Sequence, residues 1–226
     1  PNHDLLWEEV MNIKKQIKLD LISIKPYFTL KNLIIFSGIA IFYMFITKSP
    51  NILLTMSMFI AMLFSSYPFL VGDNSGIDGI YRLFAIDSKN VVLARYVLAL
   101  IFYLFSSILG FIYYLVAAKI RSYPIDIDIL INFGVNFLIF ALIISLQFPI
   151  YFKYGYTKAK TWVILPILII GILGGIIGYF VKDIDYVINF LLQYKNLITI
   201  LTIILITVII LISIKLAIKF YKQRDF

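Results

Sequence analysis

The chain has 226 residues and a formal net charge of +8, with 62% apolar and 17% aromatic residues and a mean hydropathy of +0.98. Soluble domains average about 45–50% apolar, so this composition marks an integral membrane protein and leaves no room for a soluble catalytic domain. There is no cysteine and the only histidine is His3, which excludes disulfides, thiolate chemistry and the usual zinc sites; the basic surplus reads as topology and anionic-lipid contact rather than nucleic-acid binding.

In chain order, residues 1–10 differ in character from the rest of the chain and read as a tail or an expression remnant ahead of a start at Met11, leaving 11–226 as one membrane domain. No secretory signal fits. Residues 13–25 place Ile13, Ile17, Leu21 and Ile24 on one helical face and Lys14, Lys15, Lys18 and Lys25 mostly elsewhere. That pattern predicts a basic amphipathic helix lying on the cytoplasmic leaflet, ended by Pro26.

Six apolar runs come next, at 30–46, 51–71, 96–118, 129–151, 161–181 and 197–218. Each approaches the roughly 20 residues that cross a hydrocarbon core of about 30 Å. The predicted fold is therefore all-α and polytopic, with six transmembrane helices. With the N-terminus inside, 15 of the 20 Lys and Arg residues fall on the cytoplasmic side, which predicts that both termini are cytoplasmic. None of the runs carries an ionisable residue in its central portion. Ion-driven transporters normally hold such a group within the membrane, so energy for uphill movement would have to enter from outside the lipid, through a cytoplasmic surface that engages a separate motor.

The connections are unequal. Residues 72–95 form the longest polar stretch, mixing Asp73, Asp78, Arg82, Asp87, Lys89 and Arg95 with Ile77, Ile80, Tyr81 and Phe84 at helical spacing. A plain connection takes about 2–8 residues; this one predicts a short helix whose apolar face enters a groove on a partner. A second cytoplasmic loop, Lys153 to Lys160, is wholly basic. Beyond the fifth run, residues 183–195 set Ile184, Val187, Ile188, Leu191 and Leu192 against Asp183, Asp185, Asn189 and Gln193, the pattern of an amphipathic helix on the outer face.

Within the runs, Gly171, Gly174, Gly175 and Gly178 give overlapping G-x-x-x-G spacings, which let helix backbones approach closely either within one subunit or between two. Asn132, Asn136 and Gln147 in the fourth run either hydrogen-bond neighbouring helices or line a mildly polar, aromatic-rich cavity; such a lining suits amphipathic molecules better than ions, which need dense oxygen coordination. No G-x-x-x-x-G-K-[ST] occurs, so ATP phosphates are not cradled by the P-loop route on this chain.

The chain resembles the membrane subunits of type-2 ATP-binding-cassette transporters. The resemblance is carried by YPF at Tyr67–Phe69, Asp73, DGIYRLF from Asp78 to Phe84 and VVLARY from Val91 to Tyr96, together with the entry helix and the six runs; where family members often have Leu-Pro near Leu83 to Ala85, this chain has Phe84 and Ala85. It implies that residues 72–95 carry a cytoplasmic coupling helix, with Asp73, Asp78, Tyr81, Arg82, Phe84 and Asp87 coupling to the ATPase. It further implies a bacterial plasma-membrane permease that binds no cofactor itself and has no enzymatic activity. Its partners would be two ATPase subunits holding ATP and Mg²⁺ and a second permease, in a homo- or heterodimer meeting near the glycines of the fifth run. Segments KLDL (Lys18–Leu21) and KPYF (Lys25–Phe28) are similar to the permeases of phenol-soluble modulin exporters, which implies amphipathic, cytolytic peptides as substrate. Drug or lipid export, and a non-transporting scaffold or sensor, stand as the alternatives.

Overall fold

The computed structural model describes residues 3–47, 50–123, 128–162, 168–169, 171–172, 175–176 and 193–224. The elements are helices α1 (His3–Ile24), α2 (Leu30–Ile46), α3 (Ile52–Ser75), α4 (Ile77–Leu83), α5 (Ser88–Arg121), α6 (Asp128–Tyr154), α7 (Tyr156–Ala159) and α8 (Lys195–Gln223), with a short 3-10 turn at Lys25–Tyr27. Among the described residues, four helices are long and apolar enough to cross a bilayer: Ile52–Ser75, Ser88–Arg121, Ile129–Tyr154 and Asn196–Gln223. Helix α2 has 17 residues, slightly short of that length. The expected fifth span and the expected outer amphipathic helix lie mostly outside the described residues.

Packing divides the chain into a first unit, residues 1–140 with 224–226, and a second, 141–223. The first is built on α3 and α5. At their crossing, a Cβ added to Gly110 would sit 2.6 Å from the Ser57 Cβ, so only glycine lets the backbones come this close. Pro68 lies inside α3 without ending it.

Helix α1 packs against the C-terminal part of α3 and the N-terminal part of α5: Ile24 is buried with Phe64, Val71, Leu98 and Phe102. The expected apolar face of α1 requires correction. Ile24 is buried and Ile17 packs against the same cluster, but Leu21 is 40% exposed, and Gln16 and Asp20 are buried on the inward side as well. The polar side turns inward because an arginine of α5 waits beneath it. Thr29 caps α2 by accepting from the Asn32 N–H at 3.3 Å, and the far end of α2 receives Arg121, which donates to the Phe45 and Thr47 carbonyls. A cation there meets the negative end of the helix dipole.

In the second unit, Phe152 packs edge-to-face on Tyr221 at 5.4 Å, and Ser213 Oγ donates to the Ser145 carbonyl at 2.5 Å. Tyr151 stacks on Tyr156 at 5.5 Å.

Candidate functional site

The loop after α3 folds because three backbone positions permit it. Gly76 ends α3 at φ 68°, a conformation that costs glycine nothing. Helix α4 then runs for seven residues and closes at Phe84, and Ala85 at φ 52° reverses the chain. Asp87 caps α5 by accepting from the Lys89 N–H at 3.1 Å.

Helix α4 has two unlike faces. Its inner face is ionic: Asp78 is 2% exposed and pairs with the equally buried Arg95 of α5, Nη2 to Oδ1 at 2.5 Å and Nη1 to Oδ2 at 3.4 Å. Arg95 Nε also lies 3.7 Å from Asp20 Oδ2 of α1, and its guanidinium sits 4.6 Å above the Phe69 ring. Tyr81 OH donates to Asp20 Oδ1 at 3.2 Å, with Gln16 Nε2 at 3.5 Å from the same oxygen. A Cβ on Gly72 would fall 2.8 Å from Asp78 Oδ2, so the ion pair requires glycine at that position.

Two carboxylates thus face one guanidinium out of water. Burial pushes the Asp20 carboxyl up to about 6, with Arg95 opposing and Asp78 reinforcing the rise. Burial, and then the charge on Asp20, push the Tyr81 hydroxyl up as well, so it remains a donor. Arg224 joins the rim of the cluster, Nη2 to Asp73 Oδ1 at 2.7 Å and Nη1 to Asp78 Oδ2 at 4.0 Å; Arg82 Nη1 donates to the Arg224 carbonyl.

The outer face of α4 is apolar. Ile80 is 46%, Leu83 86% and Phe84 77% exposed. This redistributes the expected docking residues: Phe84 and the exposed Arg82 are presented outward, while Tyr81 and Asp78 face inward and fasten the helix. Asp73 belongs to the fastening, and Asp87 to the start of α5. Sequence reasoning passed over Asp20, Gln16, Leu83 and Arg224. Asp20 could have been found as the one acid in the basic stretch 13–25, and Arg95 as a cation at the mouth of an apolar run.

Gly171 and Gly175 are helical and exposed, with nothing within 4 Å of an added Cβ; Gly174 and Gly178 lie outside the described residues. Asn136 and Gln147 are buried, and Asn132 is partly so. None of these three lines the cavity of about 330 Å³ that opens among α2, α3 and α5. That cavity is walled mainly by Tyr27, Phe28, Phe36, Phe64, Phe105 and Tyr113.

Compared with protein-family models, the chain matches one described as "ABC-2 family transporter protein" over residues 16–222. Neither a curated protein nor a solved structure matches it.

Proposed function

The chain belongs to the ABC-2 transporter family, multi-pass membrane proteins that associate with an ABC ATPase, and from that premise we propose that it is the permease subunit of an exporter whose ATPase docks on α4. The observation that carries this reading is the two-faced helix. Its exposed Ile80, Leu83 and Phe84 offer an apolar ridge, while Asp78 and Tyr81 tie it to α5 and α1. A docked ridge without that base would bend away under load; with it, movement of the ATPase is passed into two long helices. ATP and Mg²⁺ belong to the partner, since this chain has no P-loop, and this chain carries out no reaction of its own.

The full assembly in this reading has two permeases and two ATPases, with both termini in the bacterial cytoplasm and the exposed faces of Gly171 and Gly175 turned to the second permease. The substrate is an amphipathic, phenol-soluble-modulin-like peptide. Support for that class is the lack of ionisable residues in the centres of the apolar runs, so selection rests on apolar area and amphipathicity.

Co-purification tests the docking. Leu83→Asp and Phe84→Asp should each strip the ATPase from a permease that remains inserted, because a charge in an apolar groove costs several kcal/mol. ATPase bound at wild-type levels in both variants would refute it. ATPase stimulation by an amphipathic helical peptide, against a scrambled peptide of identical composition, then tests the substrate.

A further inference from the structure

We propose that the cavity among α2, α3 and α5 is a lipid site: it holds one acyl chain of an anionic phospholipid whose headgroup rests at the N-terminus of α2. The site is independent of the peptide reading, and its test requires no ATPase.

Three observations converge. The first is size. Along α3 the lining runs from Phe64 to Leu53, about 16 Å at 1.5 Å per residue, close to the roughly 15 Å of half a hydrocarbon core. The cavity has about 330 Å³, which suits one hydrocarbon chain, and the half-exposed Phe105 leaves its side open to the bilayer.

The second is an unsatisfied hydroxyl. Ser106 lines the cavity, is 1% exposed, and its Oγ has no hydrogen-bond partner among the described residues. Such a group costs about 1–3 kcal/mol if nothing meets it. Its level in the cavity is set by the aromatic contacts. The Phe28 and Phe102 rings stack at 5.6 Å; Asn32 lies one turn beyond Phe28 and Ser106 one turn beyond Phe102. Thr29, Asn32 and Ser106 therefore make one polar end; at the other, Leu53, Met56 and Leu109 stand beside Ser57 and Tyr113, whose hydroxyls are already engaged by the Leu54 carbonyl and Ser37. An ester carbonyl at the polar end accepts from Ser106 while the chain fills the remainder.

The third is charge. Lys25 and Lys31, exposed and within four residues in sequence of Thr29, bring positive charge to this end of α2, and the N-terminus of α2 adds its dipole, so a phosphate is favoured over a neutral headgroup.

Photo-crosslinking reads this directly. The full-length permease is placed in phosphatidylcholine nanodiscs containing a trace of phosphatidylglycerol with a diazirine in one chain. Labelling is expected on Met56, Phe105 and Leu109, above that on exposed α8 residues such as Ile204. Ser106→Val should reduce it about fivefold, the worth of one hydrogen bond. Leu109→Trp should block it without altering labelling of α8. Labelling no greater than on α8 would overturn the site, and equal labelling by diazirine phosphatidylcholine would overturn the headgroup. Stronger labelling by a diazirine fatty acid would overturn the phospholipid, and displacement by amphipathic peptide would return the cavity to the transport path.

Discussion

Arg95 of α5 grips Asp78 of α4 through both of its terminal nitrogens, at 2.5 and 3.4 Å, with each residue only 2% exposed. Fork geometry of this kind fixes direction as well as distance, so the axis of α4 is set by the axis of α5. A motor pushing on Leu83 or Phe84 consequently pushes on a helix of 34 residues.

Breaking the pair from one side should be severe. Arg95→Met leaves Asp78 and Asp20 buried with no cation between them, a loss of about 3–5 kcal/mol. The double variant Arg95→Met/Asp78→Leu removes charge from both sides and should recover most of the thermal stability, while ATP turnover remains uncoupled from transport. A double variant no more stable than Arg95→Met would show that the cost lies elsewhere.

Gly72 is the geometric condition for that pair. Gly72→Ala brings a methyl to 2.8 Å from Asp78 Oδ2 and should cost about 1–3 kcal/mol, as overpacking does. Combining it with Asp78→Ala should remove most of the penalty, since the carboxylate is gone and only Arg95 Nη2, 3.2 Å from the added Cβ, stays close; thermal unfolding of the wild type, the two single variants and the double variant measures the coupling.

The Asp20 carboxyl is raised from 3.8 to about 6, so the native chain holds its proton more tightly than the unfolded chain does. The cost is fully present above about pH 6 and fades as pH falls toward 4. Relative to Asp20→Asn, the wild type should therefore gain thermal stability by roughly 1 kcal/mol between pH 7 and pH 5, out of a total of about 3 kcal/mol at 1.36 kcal/mol per unit that is recovered only below pH 4. Parallel curves for the two proteins across that interval would contradict this.

At the crossing of α3 and α5, Gly110→Ala would bring a Cβ to 2.6 Å from the Ser57 Cβ and 3.2 Å from the Leu53 carbonyl oxygen. The helices must separate, and a drop of about 1–3 kcal/mol is expected. Gly110→Ala/Ser57→Gly should restore part of it, limited by the Leu53 carbonyl and by the added glycine in α3. No rescue would mean that backbone, rather than side chain, sets the contact.

The orientation is testable because the chain has no native cysteine. Lys158→Cys should resist a membrane-impermeant thiol reagent in intact cells, and Ser122→Cys should react; both residues are exposed. The reverse pattern would invert the topology.

The sequence by itself determined that this is an all-helical membrane protein, where its long apolar helices run, and that residues 72–95 break into a short helix. These features arise from run length, glycine placement and the periodicity of side chains along a single helix, all of which are local. It also held a cue in Arg95, a cation at the mouth of an apolar run. Which face of α4 turns outward was decided only by the tertiary structure. Tyr81 and Phe84 are indistinguishable as members of an apolar stripe, yet Tyr81 turns inward because Asp20, more than sixty positions earlier, offers its hydroxyl an acceptor at 3.2 Å. The same distant partners turn Gln16 and Asp20 of α1 inward beside Ile17 and Ile24, and leave Leu21 exposed. A buried charge is stable only where its counter-charge and hydrogen bonds converge on it. That convergence among α1, α4 and α5 is a property of packing and leaves no periodic trace in any one of the three segments.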